Sequence, residues 1–353
     1  MTGTMLDDPQ SLARLDTRGM LAHVFDLPEQ IEQAITRAPE FILPDEWKNP
    51  AHILLIGTGG GSGTAGEIAR AYLHDQLAAP FVVASGYDLP AWANAQTLVI
   101  AASHSGNTEE TLNAFHQARA RGCRVIALTG DGKLASERGD AMLYPLHGKQ
   151  MPRAQIGEIL VALFNIVHQA GAMNDPARDF ADAIVTLRAL RDGWAMSAPT
   201  ENNRAKQIAR ALQNHTPLII GATPDTEAIA LRWKRQFGEN GKVLAFWSAL
   251  PPLHHDEIVG WQADPLQKQF AVVLLRVPNE SRAIQKRFDA TRAVLSSRAG
   301  IVIEEWASGA TRLAQIFSLI LLGDFVSCYL ALAREIDPTP VALIDELKRA
   351  MTQ

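Results

Sequence analysis

The sequence predicts an α/β protein of two similar halves, each a mainly parallel β-sheet flanked by helices in a three-layer αβα arrangement. Three observations carry that expectation. Short apolar runs alternate with helix-like stretches from His52 to Gly171, and the same order of runs returns between Pro217 and Arg334. The chain of 353 residues is also too long for one ordinary core, so two domains are expected, with the boundary drawn between 1–174 and 175–353. Parallel strands need long crossovers, and the helix-like stretches supply them.

Residues 1–48 read as helices ahead of the first sheet. A strand at 52–56 runs into the glycine turn Gly57-Thr58-Gly59-Gly60-Gly61-Ser62-Gly63 and a helix to His74. Strands follow at 81–84 and 97–102, then a helix to Arg119, a strand at 124–128 and a long helix from Ala154. Helices at 178–214 lead into the second half. There, 217–222 echoes the strand at 52–56, 270–275 echoes the strand before Ser103, and 300–303 echoes 122–126. A strand also begins at Val243, and a closing helix at 311–334 matches the one from Ala154.

Composition excludes several classes. With 47% hydrophobic and 20% charged residues the chain is an ordinary globular protein. A net charge of −5 without a run of Lys or Arg gives no surface that tracks a phosphate backbone, so no nucleic-acid partner is expected. The start, Met1-Thr2-Gly3-Thr4-Met5-Leu6-Asp7-Asp8, is polar and acidic, unlike an export signal. The longest apolar stretch, 316–332, is interrupted by Asp324 and falls short of a membrane span. Cys123 and Cys328 lie in apolar surroundings and read as buried free thiols. A cytoplasmic protein without a membrane partner is expected.

The glycine turn and the later Ser103-His104-Ser105-Gly106-Asn107-Thr108-Glu109-Glu110-Thr111 read together as a cradle for one phosphate. Each follows a strand and opens a helix, where backbone N–H groups and the dipole favour an anion. Ser103, Ser105 and Thr108 add hydroxyl donors, and the acids after Thr108 suit a first helical turn. No lysine of the ATP-loop type follows the glycines. Gly61-Ser62-Gly63-Thr64-Ala65-Gly66 fits a dinucleotide fingerprint, but the next strand ends in Ser85-Gly86 rather than in a ribose-binding acid. A purely structural glycine turn is the remaining alternative. Only the first half has such loops, since the second offers Gly221-Ala222-Thr223-Pro224-Asp225-Thr226 and Arg276-Val277-Pro278-Asn279-Glu280-Ser281 in their places.

These segments resemble the sugar isomerase (SIS) superfamily, and within it the two-domain bifunctional phosphoglucose/phosphomannose isomerases. The resemblance spans nearly the whole chain. Beyond the glycine and serine loops it rests on Gly86-Tyr87-Asp88-Leu89-Pro90-Ala91-Trp92, Pro152-Arg153-Ala154, Phe237-Gly238-Glu239-Asn240, His254-His255, Glu257-Ile258-Val259-Gly260-Trp261 and Ile344-Asp345-Glu346-Leu347-Lys348. It implies a cofactor-free, metal-independent isomerase of glucose 6-phosphate and fructose 6-phosphate, with mannose 6-phosphate left open. Gly61, Ser62, Ser103, Ser105 and Thr108 would hold the phosphate. Glu239 would move the proton between carbons, a task that suits one carboxylate in reach of both. Arg153 would face the enediolate, being charged at any working pH. His255 and Lys348 would open the sugar ring, with His255 supplied by the neighbouring subunit of a homodimer. Read without the resemblance, Glu239 and Arg153 are ordinary exposed side chains at helix ends, and Lys348 is a solvated terminal lysine. His254-His255-Asp256-Glu257 also reads as a metal cluster or a structural pair, though consecutive residues point apart and no second ligand pair stands nearby.

The chain departs from the family pattern at Pro251-Pro252, at Asp256, where relatives have asparagine, and at Val341, where archaeal mannose-accepting relatives have threonine. Asp256 would tend to raise the pKa of His255. Two alternatives stay open: a sugar-phosphate-binding regulator without catalysis, and an isomerase of another phosphosugar.

Overall fold

A computed structural model describes residues 5–77, 79–262 and 265–351. Three helices, α1 (Pro9–Leu15), α2 (Met20–Phe25) and α3 (Leu27–Arg37), precede the first sheet. The first half continues through β1 (His52–Ile56), α4 (Thr64–Leu73), β2 (Phe81–Ala84), β3 (Thr97–Ala102) and α5 (Glu109–Ala120). It closes with β4 (Arg124–Thr129), α6 (Lys133–Ser136), β5 (Met142–Pro145) and α7 (Ile156–Gln169). Helices α8 (Ala177–Trp194) and α9 (Arg204–Leu212) lead to β6 (Thr216–Ala222), α10 (Glu227–Glu239), β7 (Phe246–Leu250) and β8 (Phe270–Arg276). Then come α11 (Arg282–Leu295), β9 (Ile301–Trp306), α12 (Arg312–Leu332) and α13 (Ala342–Met351).

Every strand pairing is parallel, in the orders β2-β1-β3-β4-β5 and β7-β6-β8-β9. The second order repeats the first four strands of the first, which is the duplication expected from sequence. Central strands such as Thr97-Leu98-Val99-Ile100-Ala101-Ala102 are buried along their whole length, because helices cover both faces of a parallel sheet.

Two strands differ from expectation. The edge strand β5 escapes a periodicity reading because it is four residues long and ends in proline. The strand expected from Val243 starts only at Phe246. Lys242 adopts a left-handed backbone (φ 54°), and the Val243 N–H returns to the Phe237 carbonyl at 3.1 Å, so the chain is still closing α10 at that point. The helix expected from Ala154 begins at Ile156, after a 3-10 turn at Pro152–Ala154.

Helix α12 corrects the reading that its apolar stretch is too short for a membrane. It has 21 residues and enough apolar character, but its apolar window is 100% buried inside the protein. It packs on α2, α8, α9 and α10 as the axis of the core shared by the two halves. Cys328 on α12 is buried as expected, whereas Cys123 is only half-buried, and both are free thiols.

Candidate active site

Strands β1 and β3 are neighbours with Ile56 opposite Ala101, so the glycine and serine loops leave the sheet side by side. Residues Gly59–Gly63 form a π-helical turn that runs directly into α4. Two arginines of α10 hold its carbonyls: Arg235 Nη1 donates to Gly59 O at 3.1 Å, and Arg232 Nη1 to Gly60 O at 3.4 Å. Because a peptide is planar and trans, the following N–H groups face away from α10. In the serine loop, Ser103 is buried and its hydroxyl lies 2.8 Å from that of Thr108, the residue ahead of α5. Ser105 is exposed and accepts from the Asn107 N–H at 3.4 Å. Ser62 is buried, next to the carboxyl end of β3: a Cβ built on Gly57 would meet Ser62 Cβ at 3.0 Å and Ala102 O at 3.2 Å.

The last residue of α10 projects into the glycine loop. A Cβ on Gly60 would sit 2.1 Å from Glu239 Oε1 and 3.5 Å from Arg153 Cβ, and one on Gly61 would sit 3.0 Å from Pro152 O. Glycine is therefore required at position 60 if a carboxylate is to lie against the loop. Arg153 Nη1 is 3.8 Å from Glu239 Oε2. Its Nε donates to Asn240 Oδ1 at 2.6 Å, and its Nη2 donates to the carbonyls of Pro338 at 3.2 Å and Thr339 at 2.7 Å. Arg153 is 3% exposed, which corrects the alternative of a solvated helix-start arginine. Burial pushes its pKa down, and the charge of Glu239 opposes that shift.

A buried ion pair fixes this frame. Arg232, fully buried, donates to Asp324 of α12 through Nε at 3.1 Å and Nη2 at 2.5 Å, and Nη2 also reaches Arg153 O at 3.0 Å. Gln236 donates to Asp324 Oδ1 at 3.0 Å, and Asn240 donates to Ser327 Oγ at 3.0 Å. Burial pushes the Asp324 carboxyl up, and Arg232 pulls it back. Sequence reasoning missed this pair, although an Asp inside an apolar helix signals a buried cation partner.

A third cation stands close by. Lys242 Nζ donates to the carbonyl of Glu239 and, at 2.9 Å, to that of Pro338. No motif marked it. The segment gripped by Arg153 and Lys242 leads into α13, whose residues are exposed, Lys348 among them. Lys348 is thus carried by a helix rooted at the Arg153 contact.

His255 is not brought to Glu239 within one chain. Glu239 closes α10 before β7, whereas His255 is exposed on a 3-10 turn (Pro252–His255) after β7. The two ends of this five-residue strand are roughly 13 Å apart. His254 is turned inward, with Nε2 at 2.8 Å from Thr291 Oγ1 and Nδ1 at 3.0 Å from Arg287 Nη1. Burial, then the Arg287 charge, pushes its pKa down, and both of its ring nitrogens already have partners within the fold. Asp256 Oδ1 accepts from the Glu257 N–H at 2.5 Å.

Comparisons with known proteins agree with this architecture. Residues 47–157 match the SIS domain, and residues 201–351 match the bacterial phospho-glucose isomerase C-terminal SIS domain. The chain is 34% identical over 337 residues to a bifunctional phosphoglucose/phosphomannose isomerase of Caldicellulosiruptor bescii, covering 95% of this chain and 99% of that one. It is 32% identical to a protein of the same name from Aquifex aeolicus, covering 87% and 94%. Among solved structures it resembles a glucose-6-phosphate isomerase like protein from Thermus thermophilus, with TM-score 0.63, 21% identity and 98% of each chain covered.

Proposed function

This chain belongs to the bifunctional phosphoglucose/phosphomannose isomerase family, and from that premise we propose how its residues carry out the reaction. It is an aldose–ketose isomerase that interconverts glucose 6-phosphate, and mannose 6-phosphate, with fructose 6-phosphate. The hydroxyls of Ser62, Ser103, Ser105 and Thr108 and the outward N–H of Gly61 hold the 6-phosphate. The partner subunit's His255 gives a proton to the ring oxygen while the O1 hydroxyl loses its own with Lys348 assisting, so that the bond from C1 to the ring oxygen breaks and the open-chain aldose results. Glu239 removes the proton from C2, and the electron pair of that bond forms the C1–C2 double bond of an enediolate with its charge on O1. Arg153 faces that charge from a buried, preorganised position. A proton then passes from O2 to O1 and the charge moves to O2, and as Glu239 returns its proton to C1 the O2 electron pair closes the carbonyl at C2.

The contact of the Glu239 carboxylate with Gly60 on one side and Arg153 Nη1, at 3.8 Å, on the other carries this reading. It joins a carbon base, an oxyanion partner and a phosphate loop, whereas a binder without catalysis needs only the loop. The strand length between Glu239 and His255 supports a homodimer that shares its sites.

Acceptance of mannose 6-phosphate has support at Thr339. The gapless match to relatives puts Val341 at the expected threonine, yet the Thr339 carbonyl is the one that accepts from Arg153, and its buried hydroxyl has no hydrogen-bond partner. A free hydroxyl beside Arg153 suits a donor to the sugar oxygens at C1 or C2. The enediolate has no stereocentre at C2, so one intermediate serves both epimers.

A coupled assay of the purified protein with EDTA present, following fructose 6-phosphate to glucose 6-phosphate and separately to mannose 6-phosphate, tests the reading. Turnover of both is expected. Binding of the sugar phosphate without turnover would identify a regulator.

A further inference from the structure

Of the titratable groups near the site, the half-buried Lys242 has no part in the chemistry above. Its ammonium bridges two carbonyls: that of Glu239 itself, at the end of α10, and that of Pro338, 2.9 Å away. The same Pro338 carbonyl, with that of Thr339, accepts from Arg153. Two cations thus converge on one turn, and Lys242 is the one that also grips the helix end bearing the base. A left-handed backbone (φ 54°) is uncommon outside glycine and asparagine, and here it aims the side chain back across the helix terminus. A lysine beside the last carbonyls of a helix also meets the negative end of its dipole.

We infer that Lys242 is a positioning residue for the proton transfer: its ammonium ties the Glu239 end of α10 to the Pro338 turn, so that base, Arg153 and Thr339 keep one geometry. This rests on the isomerase reading given above. Movement of Glu239 by an ångström changes its reach to C1 and C2, and the Pro338 turn carries the Thr339 hydroxyl and leads to the helix bearing Lys348.

The surroundings make the tie sensitive to pH. Burial pushes the Lys242 ammonium down to about 8, and the charge of Arg153 pushes the same way. Asp337 from the C-terminal segment and Glu239 from α10 pull it back up, while Cys328 of α12 is a thiol that burial keeps protonated and uncharged. Arg334, just after α12, donates to the Lys242 carbonyl at 3.2 Å and adds positive charge nearby. The protonated form makes the charge-assisted bonds, so turnover is full below that pH and declines as pH rises through it.

The test compares wild type, Lys242→Arg and Lys242→Met, with kcat and KM for fructose 6-phosphate measured from about pH 6.5 to about pH 10. The wild type is expected to lose kcat with a midpoint near pH 8. Lys242→Arg keeps its charge throughout and moves that limb beyond the measured range. Lys242→Met loses about tenfold in kcat at neutral pH, the worth of one charge-assisted hydrogen bond, with KM within about twofold and no limb near pH 8. A Lys242→Arg midpoint unchanged from wild type, or a Lys242→Met variant with wild-type kcat and limb, overturns the inference. Should Lys242→Met fail to fold, the profile of Lys242→Arg decides alone. A wild type without turnover overturns the isomerase reading and this inference with it, whereas a wild type with turnover isolates the role of Lys242.

Discussion

Replacing Gly60 with alanine adds a single methyl group directly in front of the base. That carbon would lie 2.1 Å from Glu239 Oε1 and 3.1 Å from its Cδ, where ordinary contact begins at 3.4 Å. The carboxylate, at the far end of a flexible side chain, is the group that yields, and it must retreat by more than an ångström. A displacement of that size in a reacting group costs on the order of 10²-fold in rate. Folding is spared, because Gly60 does not have positive φ and alanine restricts the unfolded chain. The neighbouring Gly59 gives the opposite pattern: its φ of 75° strains any side chain, while a Cβ there meets nothing within 4 Å. Gly59→Ala should therefore lose about 1 kcal/mol of stability with kcat near wild type. Thermal melting and the coupled isomerase assay on both variants read the two effects separately. A Gly60→Ala enzyme with kcat within about threefold of wild type would refute the placement of the base against the glycine loop.

The remaining predictions concern the frame and the assembly. Asp324→Ala leaves Arg232 charged and buried without its carboxylate, so stability should fall by about 3–5 kcal/mol in denaturant titrations, and a loss below about 1 kcal/mol would show that the pair does not anchor α12 to α10. His255→Ala and Glu239→Gln chains should each be nearly inactive alone. Mixed after dissociation, they should recover activity up to about a quarter of wild type, since half of the dimers formed are mixed and each carries one intact site. Mixing without recovery would mean that each site draws on one chain only.

The sheets were legible because buried parallel strands such as Leu98 to Ala102 are continuous apolar runs, and their order repeats in the second half. The two loops proposed to hold the phosphate stood out as a pair because their glycines and hydroxyls are contiguous. Glu239 and Arg153 came from resemblance to a family; what sequence could not convey is that Glu239 meets Gly60, a contact between residues of different halves. The supports were harder still. Arg232 and Asp324 lie on different helices, and only the acid within an apolar helix hinted at them. Lys242 looks like any loop lysine until the chain turns left-handed there and delays β7 to Phe246. An ungapped match puts Val341 where relatives have threonine and Thr339 two residues too early, and only the fold brings the Thr339 carbonyl to Arg153.

Glu239→Gln keeps the shape of the side chain and removes its capacity to accept a proton from carbon. Measured by the coupled assay alongside binding of fructose 6-phosphate, it should lower kcat by about 10²–10⁴-fold with binding nearly unchanged. Turnover close to wild type in that variant would remove Glu239 from the chemistry and contradict the proton-transfer mechanism itself.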